Sequence, residues 1–91
     1  MVRYKRNIDI SIEKVSQDSY IINGKNYSVH SEKDHIEVIK YANRVGSALF
    51  GIYLLLDNHK LFIVRDLYEK EYMDTIQSLS SFLGLKVIVN S

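Results

Sequence analysis

The side chains best suited to chemistry in this chain are three histidines, His30, His35 and His59, with Asp34 and Asp57 close by as candidate carboxylate ligands. Metal centres often join a strand end to a helix start, and such a junction would bring His30 beside His35. Their spacing matches no established ligand pattern, and His35 falls on the apolar side of its segment. A carbonyl-bonded histidine at the core edge and a solvated turn residue account for His35 and His59 without a metal. Asp57 and Asp66 bracket Lys60 to Arg65, as the acidic residues of metal-dependent nucleases bracket a hairpin strand. Those sites also need a lysine two residues beyond an acidic residue, and Leu61 to Val64 supplies neither. A turn aspartate and a helix N-cap explain the pair as well. No catalytic, metal or cofactor-binding residue is therefore assigned, and a metal-dependent hydrolase or nuclease stands as a distant alternative.

Other chemistries are excluded more firmly. The four glycines are scattered and form no clustered loop through which backbone amides could approach a pyrophosphate. Gly46-Ser47-Ala48 lacks the second glycine of a nucleophile elbow. Cysteine is absent, which removes disulfides, thiolate zinc sites, iron–sulfur clusters and cysteine nucleophiles together. The expectation is a protein that is not an enzyme.

Two basic clusters offer a binding chemistry instead. Arg3, Lys5 and Arg6 lie together near the start, and Lys33, Lys40 and Arg44 would stripe one face of a helix. With Tyr4, Tyr20, Tyr27 and Tyr41 among them, these residues could form a phosphate track with stacking platforms. Against this, 12 Lys and Arg face 11 Asp and Glu, a net charge of only +1. A phosphate-backbone binder ordinarily carries a clear positive excess. The segment Lys60-Leu61-Phe62-Ile63-Val64 also lacks the Gly-aromatic signature of RNA-recognition sheets. Nucleic-acid binding is the second reading.

The elements that would position these groups follow from patterning. A chain of 91 residues with 46 % hydrophobic and 25 % charged residues suits one globular domain, residues 1–91, and is too short for two cores. The longest apolar run, Ala48 to Leu56, is about half of what a membrane helix requires, and no signal-peptide pattern opens the chain. With cysteine absent as well, a cytoplasmic protein without membrane contact is expected. Ile8 to Glu13 alternates like a strand with one buried face. Asn23-Gly24 between Tyr20-Ile21-Ile22 and Lys25-Asn26-Tyr27-Ser28-Val29 predicts a two-residue hairpin that sets Tyr20 opposite Tyr27. Ser31, with Asp34 as a short capping box, predicts a helix to about Val45, ended by Gly46. Its acidic start (Glu32, Asp34) and basic end (Lys40, Arg44) suit the helix dipole. Ala48 to Leu56 and Lys60 to Arg65 read as strands joined by a turn at Asp57-Asn58-His59. Asp66 with Glu69 predicts a second helix, striped by Tyr68, Tyr72, Ile76, Leu79 and Leu83 and ended by Gly84, before a last strand at Leu85 to Val89. The expected order is βββαββαβ, an α+β two-layer sandwich with a ferredoxin-like βαββαβ core and extra N-terminal strands.

The later strands carry more apolar residues than that architecture can cover. In Ala48 to Leu56, side chains directed to both faces are apolar, and the same holds for Leu61 to Val64 and Leu85 to Val89. Two helices on one side of a sheet shelter one of those faces. Hiding even ~400 Å² of the other is worth ~10 kcal/mol before entropic costs. The N-terminal hairpin, a helix on the second face, or a second subunit would each serve as cover. The expectation is a homodimer acting as a non-catalytic interaction or regulatory module that binds another macromolecule, with a protein partner possible and a nucleic acid possible. Phe50, Tyr53, Leu55, Phe62 and Val64 are the expected partner or dimer surface.

Overall fold

A computed structural model describes residues 2–4, 8–57 and 59–90 and shows a small α+β protein, mostly strands, with two four-stranded sheets and one helix among those residues. Strands β1 (Val2–Arg3), β2 (Ile12–Lys14), β3 (Ser19–Ile22) and β4 (Lys25–Ser28) form an antiparallel meander, the first sheet. Its hairpin is the one expected. Asn23 and Gly24 have φ of 52° and 86°, the positive pair of a primed turn, and Tyr20 pairs with Tyr27. The strand expected over Ile8 to Glu13 is shorter than its alternation implies, because the N–H of Asp9 donates to the Ile63 carbonyl and bends the chain toward the second sheet.

The second sheet contains β5 (His35–Ala42), β6 (Ala48–Leu56), β7 (His59–Leu67) and β8 (Lys86–Asn90) in the order β7-β6-β5-β8. The three pairings are antiparallel except β5–β8, which is parallel. Between β7 and β8 runs α1 (Glu69–Leu83), crossing β6 and β5 to reach the far edge.

Here the structure overturns the helix expected over residues 31–45. The expected Ser31–Asp34 capping box is not formed: Asp34 accepts the N–H of His30, and the segment makes one turn in which the N–H groups of Lys33 and Asp34 donate to the His30 carbonyl. From His35 the chain is a strand, with Ile36 and Val38 buried and His35, Glu37 and Ile39 on the other side. Ile36, Val38, Ile39 and Tyr41 are β-branched or aromatic and lose side-chain freedom on a helix, and a pleated surface suits them. Gly46 has the left-handed φ of 84° expected of it, but it sits in a five-residue hairpin loop in which Asn43 Oδ1 accepts from the N–H groups of Val45 and Ser47. The βαββαβ order thus lacks its first helix, and the ferredoxin-like core is not formed.

The other helix falls where the apolar stripe puts it, burying Tyr72, Thr75, Leu79 and Leu83 and ending at Gly84 with φ 67°. Its expected capping box is absent. Tyr68 occupies the N-cap with no side-chain bond, and Asp66 turns to Tyr41 instead.

The helix and the first sheet pack side by side on the same face of the second sheet. Ile12, Tyr20 and Ile22 meet Leu54, Leu56 and Ile63 of the strands and Leu79 and Leu83 of the helix in one core. Tyr4 and Tyr20 both set their rings edge-on to Phe82, and their hydroxyls donate to the carbonyls of Thr75 and Phe82. A second cluster of Val38, Phe50 and Tyr72 closes the other end, with the Phe50 and Tyr72 rings stacked 4.0 Å apart.

Candidate functional site

What remains uncovered is the opposite face of the second sheet. Alternation along β5, β6 and β8 directs Ile39, Tyr53, Leu55 and Ile88 to it, and β7 adds Phe62. Tyr53 pairs across the strands with both Glu37 and Phe62, and its ring meets Phe62 edge-on at 5.8 Å. Phe62 and Ile88, on the two edge strands of the sheet, are each 37 % exposed. Around this apolar centre sits a polar rim. Lys60 Nζ lies 3.0 Å from Glu37 Oε1 and 4.7 Å from the centre of the Tyr53 ring, and Asn90 Nδ2 donates to Glu37 Oε2 at 3.1 Å. Lys86 and Arg65 are exposed beside it.

One end of the face is shaped by an unusual crossing. The register of β6 against β7 slips between Phe50 and Tyr53, and Asp66 takes a positive φ of 63°. The Tyr41 hydroxyl donates to Asp66 Oδ1 and accepts from the Asp66 N–H, so one side chain holds the irregular backbone in place. Burial, followed by the hydrogen bond to Asp66, raises the Tyr41 pKa above that of an ordinary phenol. The Tyr41 ring spans the intervening strand at Gly51, where an added Cβ would lie 3.4 Å from Tyr53 and 3.8 Å from Tyr41. A glycine within a strand often marks this kind of close approach.

The five residues expected to form one partner surface fall on two faces. Tyr53, Leu55 and Phe62 belong to the open face. Phe50 and Val64 are core residues, 6 % and 5 % exposed, directed toward the helix. For Val64 the cause is the slipped register, which lets Ile63 and Val64 both face inward. Ile39 and Ile88 belong to the open face too. The position of Ile39 could have been read from alternation in Ile36 to Tyr41 once that segment is taken as a strand, and that of Ile88 from alternation in Leu85 to Val89.

Among the described residues, the basic side chains do not form a track. Arg3 lies on β1, 3.7 Å from Glu13, and Lys5 and Arg6 lie outside the described residues. Lys33 lies in the turn before β5, whereas Lys40 lies five residues along β5 from His35, about 16 Å of strand rise further on. Arg44 sits in the hairpin loop beyond. Lys33 Nζ is 3.0 Å from Asp57 Oδ1, and this hydrogen bond raises the lysine pKa and lowers that of Asp57.

Among the described residues, no three His, Asp or Glu side chains converge to hold a metal. Asp34 is 1 % exposed, and both its oxygens are taken by backbone N–H groups, His30 at 2.7 Å and Asp57 at 3.0 Å. It clasps two turns together. Asp57 and Asp66 stand at opposite ends of β7, about 25–30 Å apart along the strand, so they do not flank one ion. Asn58 of the expected turn is outside the described residues, while Asp57 takes a positive φ of 47° there. A surface cleft between β1 and α1 is lined by Arg3, Tyr4, Asp74, Gln77, Ser78 and Ser81, a set without a histidine or lysine beside its serines. No helix among the described residues is long and apolar enough to cross a membrane.

Comparison with protein-family models, curated proteins and solved structures finds no match to this chain.

Proposed function

We propose that this protein is a non-catalytic interaction module, working as a homodimer, that docks another protein on the open face of its second sheet. The observation that carries the reading is the row Tyr53, Leu55, Phe62 and Ile88 on the face opposite α1, where Phe62 and Ile88 are exposed and Tyr53 and Leu55 are half-buried. An apolar centre with aromatic anchors inside a charged rim is the anatomy of a protein-binding patch. Four strands at about 4.8 Å spacing and about 25 Å average length present about 500 Å² in projection, and more as accessible surface. That is about 60 % of the ~800 Å² per partner of a standard interface. The charge balance favours protein over nucleic acid. Lys60 is matched by Glu37 and Arg65 lies 3.9 Å from Asp66, so the face offers little net charge for a phosphate backbone.

The test is a photo-crosslinking side chain placed at Phe62, with the same group at Val45 on the distal hairpin loop as control. A protein captured at position 62 and not at 45 is then purified and titrated against the chain. Binding to the unmodified chain, weakened about ten-fold or more by Phe62→Glu at unchanged melting temperature, supports the reading. Equal capture at both positions, or binding indifferent to Phe62→Glu, overturns it. A single-stranded oligonucleotide whose binding depends on Phe62 and falls steeply with salt would replace it with the nucleic-acid alternative.

A further inference from the structure

We infer that two copies of this chain join along β8, antiparallel and centred on Ile88, so that two four-stranded sheets become one of eight strands. The two edges of the second sheet are treated differently. The β7 edge is broken by register irregularities and by the Asp9 N–H donating to the Ile63 carbonyl at 3.1 Å. Both features are ways of blunting an edge against further pairing. The β8 edge has neither. Its five residues, Lys86-Val87-Ile88-Val89-Asn90, are regular, have no proline, and pair with β5 on one side and with no strand among the described residues on the other. Such an edge presents a row of backbone donors and acceptors ready to be extended.

The sequence of β8 fits a second copy of itself. In an antiparallel pair centred on Ile88, that residue meets its own copy, Val87 lies opposite Val89, and Lys86 lies opposite Asn90. Every apolar residue is matched with an apolar one, and no like charges face each other. A two-fold axis normal to the sheet then places both helices on one side. There the chain exposes a second apolar strip beside the edge: Met73 is 54 % and Val89 50 % exposed, with Ile76 and Val87 partly covered between them. Pairing along β8 would continue this strip across the join. On the other side the two open faces become coplanar, doubling the docking platform. The inference rests on the reading of the chain as a homodimeric module, and it names the edge that makes the dimer.

Light scattering of the full chain at micromolar concentration measures the mass directly. The expected value is twice the 10.6 kDa of one chain. Ile88→Lys and Ile88→Glu each set like charges opposite one another on the axis, and each is expected to weaken association about ten-fold or more. Mixing the two variants restores a dimer, because the pair is then complementary. In a chain without cysteine, Ile88→Cys supplies a single thiol that oxidises to a covalent dimer, whereas Val45→Cys on the distal loop does not; this arm stands even if the charged variants fail to fold. A single-chain mass for the unmodified protein overturns the inference and the homodimer together. A dimer indifferent to both charges at position 88, or equal crosslinking at 45 and 88, overturns the β8 join alone and leaves another surface to be the dimer contact.

Discussion

Asp34→Ala should be among the most damaging single substitutions in this protein. The carboxylate is 1 % exposed and accepts the N–H of His30 at 2.7 Å and the N–H of Asp57 at 3.0 Å. It therefore fastens the turn entering β5 to the turn leaving β6, whose strands pair along their whole length. Hydrogen bonds to a charged group contribute about 1.5–3 kcal/mol each, and a buried donor left without its acceptor costs about 1–3 kcal/mol. Both N–H groups are partly reachable by water, so the two losses do not reach their upper limits. The expected cost of Asp34→Ala is about 2–4 kcal/mol, a large share of the stability of a chain this size. Asp34→Asn retains one carbonyl acceptor and should lose about half as much. Urea unfolding followed by far-ultraviolet circular dichroism measures both. A cost below about 0.5 kcal/mol for Asp34→Ala, within the range of ordinary surface changes, would refute the clasp.

Phe50 and Phe62 make a paired test of which face is core. Phe50→Ala removes a ring that is 6 % exposed and stacked on Tyr72, and should cost about 3–5 kcal/mol, whereas Phe62→Ala on the open face should cost under about 1 kcal/mol; similar values from thermal or urea unfolding would contradict the two-faced sheet. The Lys33–Asp57 contact predicts a pH effect. The hydrogen bond to Lys33 lowers the folded-state pKa of Asp57, so its contribution is present above the ordinary aspartate value and is lost as pH falls through the lowered one. Asp57→Asn, which tolerates the same positive φ, should flatten the acid limb of the stability profile, and superimposable limbs would show that the contact is immaterial.

Much of the fold was legible where local chemistry and the final structure agree. Asn23-Gly24 specifies its hairpin because both positions need positive φ, and those residues supply it cheaply. Ala48 to Leu56 coincides with β6, and the stripe ending at Gly84 coincides with α1. The segment 31–45 was misleading for a physical reason. A serine cap, an acidic start, a basic end and a glycine stop all describe a helix's ends, while the residues between them prefer a strand. The ends were satisfied by one turn and a hairpin loop, and the middle went with its β-branched side chains. With that helix gone, the basic stripe it would have carried went too.

The apolar excess in the last strands is a property of the sequence alone, since no arrangement of one short chain changes how many large side chains it holds. Which of them face the core is not. Phe50 went inward and Tyr53 and Leu55 outward by alternation along β6, whereas Val64 went inward because the register of β7 against β6 slips. That slip depends on how β6 and β7 pair and on the Tyr41 hydroxyl holding Asp66 from β5, which are contacts between strands and not properties of one segment. Composition thus determined that both sides of the last strands would call for cover, and only tertiary packing decided which apolar side chains stay exposed.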